Sequence, residues 1–422
     1  MGTVYNLTAV SAVSSDEGVA VVEVSGTAVT VSSVGQTSGA AVVTVCVEED
    51  ENHLAVSGTC RVTAQFTMVY GAEWDGSSST RLTRTDAAAL FTDPVAAVGA
   101  GAGSSPFDDI MPWSGMKKVT DGENVLVAIP KYWVKVSHIP FRVQIANSPL
   151  EGYQVSPAHR DREDGVGERD VVYIGRYECG SSTAGSFRSV SGNTPGTNTT
   201  LSDFRTNIHK KNGEEYWVVD FALQLTWWFL YLVEFSDWDG QAVIGLGIVN
   251  TNAAANKTGA TDSMTYHTGR AAGTNGDAAV QYRGIENPWG NVSEWRDGII
   301  FSSADICTYN NPANFKNTYD GTGAVVRSNK RGITDGWIKA WGCDASDPSF
   351  IYPSEVGGSW NTFVPDMVSY GTGIVAPIFG GNFLNRDGYS AGPFYIVGFT
   401  GPDTTSQRYT ICSRIMKLPN PA

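Results

Sequence analysis

The first 66 residues alternate short apolar runs with Gly- and Ser-rich breaks. Residues 20–33 and 40–47 carry the clearest runs, and both are rich in β-branched Val and Thr. Short apolar runs separated by turn residues every ~8–12 positions are typical of a β-sandwich. No helical period competes with that pattern. It therefore predicts a small all-β domain over residues 1–66.

Residues 67–124 show no sustained hydrophobic period. Their stretch 98–106, Val-Gly-Ala-Gly-Ala-Gly-Ser-Ser-Pro, has the composition of a flexible linker. Its glycines lack the preceding strand and the following helix that a phosphate-binding loop requires. The pattern predicts a connector over residues 67–124.

Two helices are predicted in the middle of the chain. Residues 201–211 follow a Thr-Thr pair and carry Ser202 as a candidate N-cap. Residues 221–235 follow Asp220, a second candidate N-cap, and apolar side chains cover most of that helix surface. This apolar run is shorter than the roughly 20 residues that a membrane-spanning helix needs. It predicts a buried core helix and no membrane insertion.

Outside these two helices, residues 125–422 have the pattern of strands and loops. An apolar, aromatic run over 125–136 is typical of a strand, and after residue 240 short apolar runs are separated by Gly, Asn and Ser. Residues 125–422 are therefore predicted to form an α+β domain in which two helices lie beside a small twisted sheet with long loops. Loops of that length in a compact domain usually carry function.

Charge narrows the class of partner. The chain has 29 Lys and Arg residues against 43 Asp and Glu residues, and its net charge is −14. Such a surface repels phosphate backbones, so we expect no nucleic-acid partner. The beginning of the chain lacks the basic and apolar regions of a secretory signal, which favours a soluble protein that is not exported.

The residue types that carry catalysis are present without the spacing that catalysis needs. The six cysteines form no CxxC pair, and the five histidines form no HExxH motif. The chain has no GxSxG elbow and no Walker loop. We therefore expect no enzyme activity, and free buried thiols rather than disulfides.

The most specific motif is the stretch 284–298, Gly-Ile-Glu-Asn-Pro-Trp-Gly-Asn-Val-Ser-Glu-Trp-Arg-Asp-Gly. It resembles the Asn-x-x-Gly-Asn-Val-x-Glu-Trp signature of the formylglycine-generating-enzyme group, which has a C-type lectin fold. Residues 357–360 and 379–383 are both similar to that group's late Arg-Gly-Gly-Ser-Trp strand, and we favour 379–383. Residues 412–416, Cys-Ser-Arg-Ile-Met, stand where the group has Gly-Phe-Arg-Leu. The resemblance implies a C-type lectin fold for residues 125–422.

Within this motif the resemblance implies a structural calcium ion. The side chains of Asn287 and Glu294 and the backbone carbonyls of Gly290 and Val292 would be its ligands, and calcium prefers such oxygens. In the alternative interpretation, Asn287 and Glu294 only cap backbone groups. No cofactor would be required in either case.

Residues 1–66 resemble the bacterial immunoglobulin-like modules of surface and phage proteins, which implies an immunoglobulin-like sandwich. Residues 380–410 resemble the variable region of diversity-generating retroelement proteins, whose reverse transcriptase randomises template adenines. That resemblance implies a solvent-facing variable region over about residues 370–412. Alternatively, these residues are ordinary core strands. The candidate variable positions are Ile374, Val375, Leu384, Asn385, Asp387, Tyr389, Ile396, Val397, Phe399, Thr400, Ser406, Arg408 and Tyr409.

The leading hypothesis is a hypervariable, non-enzymatic ligand-binding protein at a phage tail or fibre tip, with a cell-surface location second. Its variable patch would bind a host-surface protein or glycan, and its N-terminal part would bind virion structural proteins. Homo-oligomeric copies would add avidity. One alternative is a formylglycine-generating type of oxidase with Cys343 and Cys412 as redox residues. The other is a calcium-dependent carbohydrate-binding lectin.

Overall fold

Short strands dominate the computed structural model of the chain, which is 38% strand and 11% helical. The structure describes residues 10–26, 28–33, 39–48, 54–64, 67–180, 187–250, 254–302, 305–317, 322–328, 335–371, 373, 375–385, 391–400 and 409–420. The chain divides into two compact units, which we call unit 1 (Met1–Met68) and unit 2 (Val69–Ala422).

Unit 1 contains strands only, among its described residues. They are β1 (Val10–Ser14), β2 (Ala20–Ser25), β3 (Ala28–Ser33), β4 (Gly39–Val47) and β5 (Val56–Ala64). β4 lies between β1 and β5 in an antiparallel sheet, and β2 and β3 form a hairpin. Cys46 is opposite Ser57 and Cys60 is opposite Val43, so the two thiols are not cross-strand partners. The all-β prediction for this part of the chain is confirmed.

The helices of unit 2 follow the capping signals of the sequence. α1 (Leu201–Asn212) is capped by Thr200 rather than by Ser202, because the Thr200 side chain accepts the N–H of Asp203. α2 (Phe221–Phe235) is capped by Asp220 as predicted, and its residues are buried except Ala222. No helix in the described part of the chain is long and apolar enough to cross a membrane. The remaining helical segments are α3 (Gly240–Val243) and the 3-10 turns Trp113–Gly115, Pro157–His159 and Pro312–Asn314.

The strands of unit 2 are short and distributed along its whole length. Before α1 they are β6 (Val69–Trp74), β7 (Thr83–Asp86), β8 (Ala97–Val98), β9 (Lys118–Asp121), β10 (Asn124–Pro130), β11 (Trp133–His138), β12 (Phe141–Ala146), β13 (Gln154–Val155) and β14 (Val171–Gly175). After α1 they are β15 (Tyr216–Val218), β16 (Gly269–Arg270), β17 (Val280–Tyr282), β18 (Ile285–Glu286), β19 (Ser293–Trp295), β20 (Ile299–Phe301), β21 (Ile306–Thr308), β22 (Val325–Ser328), β23 (Gly336–Cys343), β24 (Ile351–Val356), β25 (Met367–Ser369), β26 (Val375–Phe379), β27 (Ile396–Thr400), β28 (Ile411–Cys412) and β29 (Ile415–Lys417).

These strands form several curled sheets rather than the one small sheet that the sequence predicted. Within the described residues, one sheet has the order β13-β11-β12-β6-β7 and another has the order β15-β29-β14-β10-β9. A third joins β18, β17, β16 and β8, and the largest contains the ten strands β19 to β28. The prediction of a small sheet was wrong because strands distant in the sequence pair with one another, which a local pattern cannot show.

The predicted connector is instead part of the core of unit 2. β6 pairs along all six of its residues with β12. Trp74, Phe107 and Trp113 are 4%, 0% and 0% exposed, and the indole N–H of Trp113 donates to the carbonyl of Leu230 in α2 at 3.0 Å. Residues 69–124 therefore belong to unit 2, and the connector prediction was wrong.

This placement predicts that substitutions within residues 69–124 destabilise unit 2 according to their burial. We expect Trp113→Ala to lower the free energy of unfolding by roughly 3–5 kcal/mol, the usual cost of truncating a buried aromatic residue. The exposed Leu90 of the same segment provides the control, and Leu90→Ala should cost about 0.5 kcal/mol or less. Urea unfolding followed by tryptophan fluorescence measures unit 2 alone, because the first tryptophan of the chain is Trp74. Equal, small effects would contradict the assignment.

Candidate functional site

The motif over residues 284–298, here called the motif segment, lies inside the largest sheet. Its strand β19 pairs antiparallel with β26 and parallel with β28, and it lies between them. Glu294 is opposite both Phe379 and Cys412. Trp289 and Trp295 are each 1% exposed, so both fill the core. The motif segment therefore joins strands from both ends of the candidate variable region.

Gly290 allows the backbone of the motif segment to turn just before strand β19. Its φ is +76°, in the left-handed region, and a Cβ there would lie 2.7 Å from the backbone nitrogen of Ile248. Both constraints select glycine. The N–H of Gly290 donates to the carbonyl of Gly380 at 3.0 Å. A side chain at position 290 would therefore block the local backbone shape.

Residues 380–385, here called the Gly-Gly turn, are attached to the motif segment by hydrogen bonds. The N–H of Phe383 donates to the carbonyl of Asn291 at 3.0 Å. The Asn382 side-chain amide donates to the hydroxyl of Ser293 at 3.0 Å. Phe383 itself is fully buried. The Gly-Gly turn is therefore fixed by hydrogen bonds to the buried residues Asn291 and Ser293.

The Gly-Gly turn is also closed by its own side chains. The N–H of Asn382 donates to the side-chain oxygen of Asn385 at 2.6 Å, and the N–H of Leu384 donates to the side-chain oxygen of Asn382 at 3.0 Å. Such side-chain to backbone bonds fix tight turns. Leu384 and Asn385 remain partly exposed on this fixed backbone.

Glu294 is buried between two arginines. Its Oε2 accepts from Nη1 of Arg296 and its Oε1 from Nη2 of Arg414, each at 2.6 Å. Burial alone would raise the pKa of Glu294, but the two guanidinium groups outweigh it and lower the pKa. The interpretation of Glu294 as a backbone cap is therefore wrong, because its partners are guanidinium groups.

The four predicted calcium ligands lie close together in the chain, but their surroundings differ. Both Glu294 oxygens already accept from arginine, so a cation at that carboxylate would face two positive charges. Asn287 is 1% exposed, and neither atom of its amide has a hydrogen-bond partner among the described residues. Gly290 and Val292 contribute only backbone carbonyls to the predicted set. In the described part of the chain no group of three or more His, Cys, Asp or Glu could hold a metal. Calcium at these positions stays a prediction.

The candidate variable residues that the structure describes differ in their exposure. Tyr409 is 56% exposed, and Leu384, Asn385 and Val397 are partly exposed. Tyr409 packs with its ring centroid 6.0 Å from that of Phe383, and Leu384 packs on the core cluster that contains Phe383. Tyr409 thus contacts the buried ring of Phe383, and Leu384 packs on the core cluster to which that ring belongs. Val397 packs instead against the neighbouring core cluster.

Two candidates are contradicted as surface positions. Val375 is 0% and Ile396 is 2% exposed. Val375 lies in β26, all of whose residues are buried, and Ile396 is opposite Phe379 in the adjacent strand β27. An interior strand covered on both faces carries no exposed alternation, so the sequence pattern could not separate these two residues from their exposed neighbours.

The other candidates lie outside what the structure describes. Phe399 and Thr400 are in β27, but their side chains are not among the described ones. The remaining positions outside the described residues are Ile374, Asp387, Tyr389, Ser406 and Arg408. Their proposed roles stay predictions.

The two cysteines of the oxidase alternative, Cys343 and Cys412, lie in different environments. Cys412 is fully buried, burial raises its thiol pKa, and its Sγ donates to the carbonyl of Cys179 at 3.3 Å. Cys343 lies in β23 opposite Ile351 and is only partly buried. All six cysteines are free thiols. A buried thiol with a raised pKa is a poor nucleophile.

Comparisons with known proteins give no family for this chain. A scan against protein-family models and a search of curated proteins each found no match. The resemblances named above therefore rest on the quoted motifs, and the roles that they imply stay predictions.

Three structural residues of the site were missed by sequence reasoning. Arg414 donates to Glu294 and to four backbone carbonyls. Asn291, with a left-handed φ of +59°, donates its amide to Glu178 at 3.0 Å. The signal for Arg414 was a lone arginine within the apolar run that ends the chain. Glu178 lies next to Cys179 and gave no comparable signal.

Glu178 makes the stability of the site depend on pH. Burial raises its pKa to about 8, and one of its oxygens has no hydrogen-bond partner among the described residues. An unfolded glutamate titrates near about 4.3. Because the folded state keeps a proton that the unfolded state has released, the free energy of unfolding should fall as pH rises from about 5 to about 8. The charged groups that act on it are Arg414, Glu294 and Glu286.

We expect Glu178→Gln to flatten this decline, since a neutral amide replaces the neutral acid. Urea unfolding of unit 2, followed by tryptophan fluorescence at pH 5, 6.5 and 8, measures the slope. Glu151→Gln, at an exposed glutamate, should keep the wild-type slope. An unchanged slope in Glu178→Gln would show that this carboxyl group is ionised in the folded state.

Burial also predicts that two candidate variable positions differ in how well they tolerate substitution by alanine. We expect Ile396→Ala to cost about 2–5 kcal/mol, because it leaves a cavity in the core. Tyr409→Ala should cost about 1 kcal/mol or less, since most of the side chain is exposed. The same urea titration measures both. A Tyr409→Ala variant as unstable as Ile396→Ala would show that residue 409 is a core position.

Proposed function

We propose that this chain is a hypervariable ligand-binding protein that displays interchangeable side chains on a fixed backbone. The observation that carries the proposal is the Gly-Gly turn, whose backbone is bonded to the buried motif segment while Leu384 remains partly exposed. Tyr409, 56% exposed, packs on Phe383 of the same turn.

The bonds that hold this turn tolerate variation at its surface. Gly290 to Gly380 and Phe383 to Asn291 are backbone bonds, so they do not depend on the side chain at position 384. Tyr and Leu on a rigid support supply contact area at low entropic cost, as in antibody paratopes. Asn385 differs, because its side chain accepts the Asn382 N–H. Variation at position 385 would therefore remove a bond that closes the turn.

The fold assignment belongs to the same proposal. For unit 2 we propose a C-type lectin fold, supported by two main helices, curled sheets and the motif segment between β26 and β28. For unit 1 we propose an immunoglobulin-like sandwich, supported by its two small antiparallel sheets. Unit 1 would attach the protein to a phage tail or fibre. The variable surface would bind a protein or glycan of the host, and several copies would add avidity.

The site gives the two alternatives less support. An oxidase needs an accessible, ionisable thiol pair, whereas Cys412 is buried beside Cys179 with a raised pKa. A calcium-dependent lectin needs carboxylate oxygens for the ion, whereas both oxygens of Glu294 accept from arginine. We therefore favour ligand binding without redox chemistry or a required metal.

The proposal predicts where sibling copies of the gene differ. Sequencing the gene, its siblings and the adjacent DNA should reveal a near-identical repeat whose differences correspond to template adenines. Substitutions should fall at codons 384, 397 and 409. The codons for Val375, Ile396 and Phe383 should stay constant, because those side chains are buried. Substitutions spread evenly along the chain, or found equally at the buried codons, would overturn the proposal.

A further inference from the structure

A polar cavity lies at the N-terminus of α2, and none of the candidate variable residues that the structure describes lines it. Its volume is about 130 Å³. The first turn of α2, the segment after the 3-10 turn Pro157–His159, and residues next to β21, β22 and β24 form its walls. The cavity is therefore a separate site within unit 2.

The acidic groups of this cavity are already engaged. Oδ1 of Asp220 accepts the N–H of Leu223 at 2.8 Å, and its other oxygen is ion-paired with Arg162. Oδ2 of Asp347 accepts from Arg160 at 2.8 Å, and Oδ1 accepts from the hydroxyl of Ser349 at 2.6 Å. Asp161, the third acidic residue of the lining, is exposed, and its Oδ1 accepts the N–H of Glu163 at 2.8 Å. The two buried carboxylates therefore have little capacity left to bind a cation.

One guanidinium nitrogen of Arg162 has no acceptor among the described residues. The residue is 3% exposed, its Nε donates to the carbonyl of Asn310 at 2.7 Å, and its Nη2 binds Asp220. Its Nη1 is buried and has no hydrogen-bond partner among the described residues. A buried charged donor without an acceptor is costly. Because Arg162 lines the cavity, an acceptor that reached Nη1 from the cavity would relieve that cost.

The helix end provides a second, independent preference for an anion. The N–H groups of Phe221 and Leu223 are bound to Asp297 and Asp220. Ala222, between them in sequence, is partly exposed and lines the cavity. The first turn of a 15-residue helix carries partial positive charge and N–H groups without intrahelical partners.

We propose that this cavity binds the carboxylate group of a small organic acid, with Nη1 of Arg162 and the first turn of α2 as donors. A cavity of about 130 Å³ has room for several water molecules, and therefore for one molecule of the size of acetate. The charged lining residues balance before binding, which favours a monoanion over a phosphate dianion. They are Arg160, Arg162, Arg327, Asp161, Asp220 and Asp347.

Acetate is the probe for this proposal, used on the full chain. Saturation-transfer NMR on the acetate methyl group detects binding directly, and thermal unfolding compares sodium acetate with sodium chloride and sodium phosphate at matched ionic strength. We expect a methyl signal, and at roughly 50 mM a rise in Tm of about 2 °C or more above the chloride value. No signal, a rise no larger than that with chloride, or an equal rise with phosphate would overturn the proposal.

Two variants test the location of the site. Arg162→Lys keeps the charge but removes Nη1, and it should weaken acetate binding by at least about tenfold. Ala222→Leu should abolish binding by filling the cavity, whereas Ala89→Leu, at an exposed alanine, should keep wild-type affinity. Should Arg162→Lys fail to fold, the two leucine variants decide. Acetate binding retained in Ala222→Leu would overturn the proposal.

Discussion

The buried ion pair between Glu294 and Arg414 is the interaction on which the rest of unit 2 depends. Arg414 is fully buried and donates to the carbonyls of Gly175, Arg176 and Glu286 as well as to the Glu294 carboxylate. One guanidinium group thereby holds together three parts of the chain that are distant in sequence. Removing one partner of such a pair typically costs about 3–5 kcal/mol, because the other charge stays buried. This requirement fixes the motif segment in one position.

A fixed motif segment would allow the surface above it to vary, as the proposed function requires. The Gly-Gly turn bonds to it mainly through backbone atoms and through Asn382, none of which changes when the side chain at 384 changes. The core cluster that contains Phe383 supports Leu384, and the Phe383 ring itself packs against Tyr409. In the proposed function, buried residues would supply stability and exposed ones recognition, so that selection on one set would leave the other intact.

The sequence allowed some of these features to be predicted because their causes are local. An Asp220 N-cap before an apolar run is enough to place α2, and the left-handed turn at Gly290 follows from a glycine among large residues. The pairing of β6 with β12 depends on residues about 70 positions apart, so no local pattern revealed that the predicted connector is core.

The burial of Val375 and Ile396 was missed for a related reason. A strand buried on both faces and a strand exposed on one face can have similar residues, and only the neighbouring layer decides between them. Here part of that layer is α2, whose Phe221 and Trp228 pack on Phe379 of β26. Glu294 was likewise recognised as a functional oxygen donor, but its partner Arg414 is 120 residues away, and a single sequence does not show that contact.

Helix α2 connects the proposed variable surface with the cavity at the N-terminus of the helix. The indole N–H of Trp228 in α2 donates to the carbonyl of Pro393 at 2.7 Å, and its ring lies 5.1 Å from that of Phe394. Both residues come just before β27, which carries Val397. A ligand that binds only the folded helix end stabilises the whole cooperative unit by mass action. An occupied cavity would therefore strengthen the support of the variable surface without contacting any side chain displayed on it.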